Sequence, residues 1–180
     1  MKQRTKEVKD FDINLKKLVD DMYDTLYYIG NGVGLSGNQI GESKSIIVID
    51  LSADEKHKNS NPLTLINPLI EHFSEEEVED QEGCLSIPEY YEKVKRSKDI
   101  RVKFYDIKGR EKVIDIEDFL ARVIQHEVDH LNGLLIFDRI SPLKRALSKN
   151  KLKKIQKGET VQNYQMILPD GNILEQKKKS

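Results

Sequence analysis

A single cysteine is too few for an internal disulfide, so Cys84 is a buried packing residue, a nucleophile or a metal ligand. No apolar run is long: Leu134-Leu135-Ile136-Phe137 falls far below the roughly 20 residues that a membrane-spanning helix requires. The start, Met1-Lys2-Gln3-Arg4-Thr5-Lys6, leads into Glu7, Val8, Lys9 and Asp10 rather than an apolar stretch. No secretory signal is visible, and a cytoplasmic location is expected, with no membrane partner. Excess charge is missing too. Thirty Lys+Arg against 31 Asp+Glu leave a net charge of −1, which gives no whole-chain case for DNA. Neither repeats nor a long linker divide the 180 residues, so a single active site is expected.

What is present is alternating helix and strand patterning. Between Asn14 and Ile29, Leu15, Leu18, Val19, Met22, Leu26 and Ile29 recur at helical spacing, which predicts an amphipathic helix. Gly30, Gly32 and Gly34 end it, and the segment from there to Gln39 is expected to be a loop into the β-branched strand Ile46-Ile47-Val48-Ile49. Further strands are expected at Leu63–Ile70, Ile100–Tyr105 and Glu111–Ile116, the last two joined by the turn Asp106-Ile107-Lys108-Gly109. From Asp118, an N-cap candidate, Phe119, Leu120, Val123, Ile124, Val128 and Leu131 make a helix apolar on most of its circumference, with Gly133 as its stop. Such a helix belongs in the middle of a domain. After Pro142, residues Lys144–Lys157 carry seven basic side chains and no acid, with Leu143, Leu147, Leu152 and Ile155 interspersed, which predicts a basic amphipathic helix. Beyond it, Pro169-Asp170-Gly171 suits a turn, and the tail can form a hairpin or stay mobile. The expected fold class is therefore α+β, with mostly antiparallel sheets packed around a central helix and a C-terminal basic helix.

Within the central helix, His126-Glu127-Val128-Asp129-His130 places two imidazoles one turn apart on one face, able to point at one cation, with Glu127 beside them. The bare pattern arises by chance in roughly one chain of this length in a hundred or two, so context decides its weight. On a buried helix, ionisable groups are costly without a polar or metal partner, which favours a real site. A catalytic site normally takes three protein ligands. The third histidine of a metzincin would fall at Ile136, and the first downstream acid past the basic helix, Glu159, sits in an unconvincing context. Cys84 offers the alternative, because a thiolate with two imidazoles suits zinc or ferrous iron. It lies in Glu82-Gly83-Cys84-Leu85-Ser86-Ile87-Pro88, where Leu85–Ile87 is expected to be extended.

Three segments taken together, Gly32-Val33-Gly34-Leu35-Ser36-Gly37-Asn38-Gln39, Glu82-Gly83-Cys84-Leu85-Ser86 and His126-Glu127-Val128-Asp129-His130, resemble the three signature motifs of the peptide deformylase family. The chain from about Asn14 to Lys157 resembles that family in order and spacing. The resemblance implies hydrolysis of the formyl group from the N-terminal formylmethionine of new polypeptides, releasing formate. It implies one divalent metal on Cys84, His126 and His130, with Fe2+ native and Zn2+, Ni2+ or Co2+ taking its place in purified protein. Glu127 would be the general base, and Gln39 and the Leu85 N–H would be oxyanion donors. Val33, Phe119 and Val123 would line a methionine pocket, with Gly83 and Leu85 along the peptide backbone and Gly34 a further substrate-binding residue. The tail after Lys157 has no family counterpart, so a catalytic domain over 1–158 and a C-terminal extension over 159–180, a hairpin or mobile tail, are expected, and the basic helix 142–157 is a candidate ribosome contact.

Two departures accompany the resemblance. Ser36-Gly37 stands where the family usually has Ala-Ala, which is expected to loosen the backbone before Gln39. The segment ahead of Arg4 is also short, which is expected to lower stability or leave a sheet edge exposed. Glu82 and Asp129 are candidates to orient ligands, Arg122 is expected to be solvated or salt-bridged, and His57 and His72 are expected to be surface residues outside the site. The rival readings are a zinc peptidase built on the same helix pair and a binding homologue that docks on ribosomal RNA through its lysines.

Overall fold

The computed structural model describes residues 2–52, 55–168 and 170–175. In chain order the elements are α1 (Ile13–Ile29), β1 (Gly34–Ser36), a 3-10 turn (Gly37–Ile40), β2 (Ile46–Ile49), a second 3-10 turn (Glu55–His57), β3 (Leu63–Phe73), β4 (Glu77–Cys84), β5 (Ile87–Ser97), β6 (Ile100–Tyr105), β7 (Glu111–Ile116), α2 (Asp118–Leu131), α3 (Ile136–Arg139), α4 (Pro142–Gln156), β8 (Met166–Ile167) and β9 (Ile173–Leu174). They pack as two compact units, residues 1–78 with 96–135, and residues 79–95 with 136–180.

The first unit holds a five-stranded antiparallel sheet in the order β1-β2-β3-β6-β7. All four residues of β2 are buried, the pattern of a strand covered on both faces, and each such aliphatic side chain stabilises the fold by about 1.5–3 kcal/mol. Ile47, Ile49, Leu65, Val102 and Phe104 of the sheet form one core with Ala121, Val123, Ile124 and Leu131 of α2. Nine of the fourteen residues of α2 are buried, as expected of a central helix. Its N-cap is Glu117 rather than Asp118, whose φ of 54° puts it in the left-handed region while its N–H donates to the Lys98 carbonyl at 2.9 Å. Helix α1 starts one residue earlier than its apolar pattern implies, because Asp12 caps it by accepting from the Leu15 N–H at 2.9 Å.

Three strand expectations change. The glycine-rich segment after α1 is not a plain loop: Gly34-Leu35-Ser36 pairs with Ile49-Val48-Ile47 as an edge strand and is followed by the 3-10 turn. β3 runs on to Phe73, its register shifting between Ile66 and Leu69 and again between Ile70 and His72. Leu85 and Ser86 are a turn rather than extended chain, joining the unexpected pair β4–β5. The Asp106–Gly109 turn stands as expected. Arg110 holds the Asp106 carboxyl down to about 2, donating to it at 2.7 Å, while Lys108 and Arg110 N–H groups add to the effect. The short N-terminal segment is also tied down. Lys6 bridges Lys44, the Thr5 N–H donates to the Leu131 carbonyl at 2.8 Å, and Asn67 takes the Val8 N–H at 2.8 Å.

In the second unit α4 begins at Pro142, capped by Ser141. The face it seats on β5 is its polar one: Lys144 Nζ meets Glu92 at 3.0 Å, Ser148 Oγ takes the Tyr90 hydroxyl at 3.0 Å, and Lys151 lies over the Tyr90 ring. Of the expected apolar face, Ile155 is buried, whereas Leu143 and Leu147 are 71% and 77% exposed. β8 and β9 make the tail a hairpin; Pro169 of its expected turn and residues 176–180 lie outside the described residues.

Candidate metal centre

The helical repeat of α2 brings His126 edge-on to His130, with ring centroids 4.7 Å apart and planes at 88°. His130 is buried at 1% exposure, and its Nδ1 lies 3.1 Å from the Leu134 carbonyl oxygen. That carbonyl can only accept, so it selects the Nδ1–H tautomer and leaves Nε2 as the ligand atom. Gly133, at φ 77°, turns the chain to bring Leu134 back onto the ring, and its missing Cβ would otherwise stand 2.8 Å from the Lys2 carbonyl oxygen. Cys84 ends β4 and is half-buried. Cys84, His126 and His130 each offer one ligand atom within 4.8 Å of the others, a soft thiolate and two borderline imidazoles that suit Fe2+ or Zn2+.

Glu127 is buried at 4% exposure, and β1 approaches it closely. A Cβ on Gly34 would stand 2.9 Å from Glu127 Oε1 and 3.1 Å from its Cγ, so glycine lets the edge strand lie against this carboxylate where any larger residue would make the Glu127 side chain shift. Gln39 is fixed from the same strand. Its Oε1 accepts from both the Ser36 N–H and the Ser36 hydroxyl, each at 2.8 Å. Since a backbone N–H only donates, the amide orientation is unambiguous, with Nε2 directed away from Ser36. Ser36-Gly37 thus does not loosen this stretch: Gly37 is jammed, with the Lys44 carbonyl oxygen 2.6 Å from where a Cβ would be. Asn38 of the same turn donates through Nδ2 to the His130 carbonyl.

The remaining expected residues lie as follows. Val33 and Phe119 are half-buried against the core and Val123 is within it at 6% exposure. Gly83 is exposed, and a Cβ there would meet the Tyr91 ring at 2.6 Å. The Leu85 carbonyl accepts from the Tyr164 hydroxyl at 2.5 Å, and burial pushes that phenol's pKa up. Asp129 pairs with Arg96, a residue sequence reasoning missed, at 2.5 Å with both side chains buried. Glu82 is buried as well. Arg122 is not solvated: at 7% exposure it donates to the Val78 carbonyl at 2.6 Å. His57 is half-buried rather than superficial, its ring stacked on Phe119 with centroids 5.4 Å apart, while His72 is exposed.

A family model described as Polypeptide deformylase matches residues 1–146. The chain belongs to the polypeptide deformylase family. It is 40% identical to the peptide deformylase of Bartonella tribocorum over 162 residues, 90% of each chain, and 43% identical to that of Thermotoga maritima over 155, covering 86% of this chain and 90% of the relative. Among solved structures it is similar to the peptide deformylase of Plasmodium falciparum, with a TM-score of 0.80, 35% identity and 88% and 91% of the two chains covered. It is likewise similar to that of Legionella pneumophila, with a TM-score of 0.76, 40% identity and 88% and 90% covered. Deformylases are metal-dependent enzymes, and the Cys84, His126 and His130 group provides donors for the metal here. Among the described residues no helix is long and apolar enough to cross a membrane.

Proposed function

We propose that this chain removes the formyl group from the N-terminal formylmethionine of newly made polypeptides in the cytoplasm and releases formate, with Glu127 as its general base. The observation that carries the reading is a buried carboxylate on the same helical turn as the paired imidazoles. Cys84, His126 and His130 hold one divalent metal, Fe2+ natively, with Zn2+, Ni2+ or Co2+ replacing it in purified protein. Bound there, the metal supplies Lewis acidity, polarising the formyl carbonyl and making water acidic enough to attack at neutral pH. Glu127 takes the proton from the attacking water and returns it to the departing amine nitrogen. The Gln39 amide, presenting Nε2, and the Leu85 N–H stabilise the oxyanion. Val33, Phe119 and Val123 receive the methionine side chain, and Gly34, Gly83 and Leu85 flank the peptide as an added strand. A formyl hydrogen fits where a larger acyl group would clash, so selectivity is steric. Residues 1–158 form the catalytic domain, and 159–180 are a C-terminal extension.

Formate release from a formyl-Met peptide by anaerobically purified, iron-loaded protein tests the reading, with the acetylated peptide as second substrate. Turnover of the formylated peptide alone is expected. Bound metal without turnover of either peptide would sink the proposal. Gly34→Ala should lower kcat by about ten- to a hundredfold, since it pushes Glu127 off its position and misplacement by an ångström costs about that much. Steady-state kinetics with metal analysis checks this, and an unchanged kcat at full metal content would remove Gly34 from the site.

The exposed lysines of α4 and its C-cap Lys157 are a contact to the ribosome. Lys149, Lys151, Lys153, Lys154 and Lys157 all reach solvent, and phosphate contacts of this kind weaken steeply with salt. Neutralising these five should abolish co-sedimentation with ribosomes at low salt; co-sedimentation that survives would exclude the contact.

A further inference from the structure

Residues 158–165 alternate strictly between buried and exposed, with Gly158, Thr160, Gln162 and Tyr164 turned inward and Glu159, Val161, Asn163 and Gln165 outward. The chain bends at Thr160, Asn163 and Tyr164, so this is irregular chain, and the alternation marks it as laid on a surface rather than loose. Most of the inward side chains are polar, and the outward set includes Val161 at 42% exposure. The segment crosses the hairpin that carries Cys84 and Leu85 at two places. Near its start, the Thr160 hydroxyl and the Val161 N–H donate to Glu89 Oε2 at 3.5 and 3.3 Å, and Glu89 itself has a φ of 58°. At its end, the Tyr164 hydroxyl, 8% exposed as a residue, donates to the Leu85 carbonyl at 2.5 Å. The segment is in turn held from behind, Gly158 against Leu168 and Leu174 around the β8–β9 hairpin, and Gln162 Nε2 donating to the Glu175 carbonyl at 3.3 Å. The segment and the hairpin behind it lie beyond residue 146, where the family match ends, while the Leu85 and Glu89 that they hold lie within it.

We propose that residues 158–165 are a strap whose Tyr164 is a positioning residue: its hydroxyl fixes the Leu85–Ser86 peptide and thereby aims the Leu85 N–H. The inference rests on the deformylase reading, in which that N–H meets the oxyanion. A two-residue turn has few bonds of its own to set its peptide planes. Clamping the carbonyl of Leu85 restricts its ψ directly and limits how far the preceding peptide, which carries the N–H, can swing. A donor held in place before the reaction costs no reorganisation when charge develops, whereas a swinging one does.

Tyr164→Phe in the full-length protein removes the hydroxyl and keeps the ring. Hydrogen exchange of the peptide spanning 84–88 should accelerate while exchange in α2 and the overall Tm stay as in wild type. In the formyl-Met assay kcat should fall by about three- to tenfold with KM within about twofold, since the donor is loosened and not lost. Unchanged exchange at 84–88 overturns the strap whatever the turnover, and accelerated exchange with full kcat overturns its catalytic consequence. Wild-type protein that releases no formate overturns the deformylase reading instead, and with it the role given to Leu85.

Discussion

Replacing Glu127 with Gln is expected to lower kcat by about a thousandfold while leaving metal content and KM for the formylated peptide nearly unchanged. General acid–base groups are worth about 10²–10⁴ in rate, and in the proposed mechanism Glu127 serves twice, taking a proton from water and delivering it to a poor amine leaving group. A thousandfold loss is about 4 kcal/mol of barrier. Gln is the right probe because the site constrains shape. The carboxylate is pressed against the Gly34 backbone, and an isosteric amide keeps that contact, so a kinetic loss cannot be assigned to a cavity or to movement of β1. Neither does it remove a metal donor, since the set is Cys84, His126 and His130. The measurement is kcat and KM on the formyl-Met peptide alongside metal stoichiometry. A variant that keeps more than a tenth of the wild-type kcat would show that another group moves the proton. One that loses its metal would make Glu127 a structural partner of the centre.

How much of this was legible beforehand depends on whether side-chain pattern or backbone pairing sets each element. The helical spacing in α2 and the buried run of β2 carry their structure in their apolar residues, and both were readable, as was the pairing of His126 with His130 on one face. β1 was not, because Gly34-Leu35-Ser36 pairs through its backbone and is glycine-bearing for the sake of Glu127, so the signal of a loop and the signal of a close approach are the same residue. β4 was hidden for a different reason: in a two-stranded ribbon most of its charged side chains face water, and Glu77-Val78-Glu79-Asp80-Gln81 has no alternation to detect. The face of α4 was misjudged because leucines suggested burial, while the contacts that seat it on β5 are an ion pair, a hydroxyl and a lysine over a ring. In the strap, Tyr164 is the one inward residue with a large side chain, and its neighbours Thr160 and Gln162 look like loop residues in sequence. Arg96 is the clearest omission. It closes a run of charged residues on β5 that suggests solvent, and only the fold brings it to Asp129.

That pairing sets up the second large effect, on stability rather than rate. Arg96→Met is expected to destabilise the protein by about 3–5 kcal/mol, the cost of breaking a buried ion pair from one side. Asp129 lies between the two histidines on α2, its carboxylate is 6% exposed as a side chain, and the Arg96 guanidinium meets it at 2.5 Å. Water cannot replace the guanidinium there, so the substitution leaves the carboxylate to be desolvated without its cation. For a chain of this length about 3 kcal/mol corresponds to a fall in Tm of about 10 °C. The comparison should be made by urea denaturation in the presence of chelator, so that metal binding does not add to either protein's stability. Arg96→Met with Asp129→Leu separates the two explanations for any loss. If the cost is the stranded charge, the double variant regains most of the stability, because an apolar pair of similar volume is often at least as stable as a buried ion pair. If the methylenes of Arg96 matter instead, the double variant stays as unstable as the single one. A loss below about 1 kcal/mol in Arg96→Met would mean that the pair behaves as an exposed one, and that α2 is held at Asp129 by its packing alone.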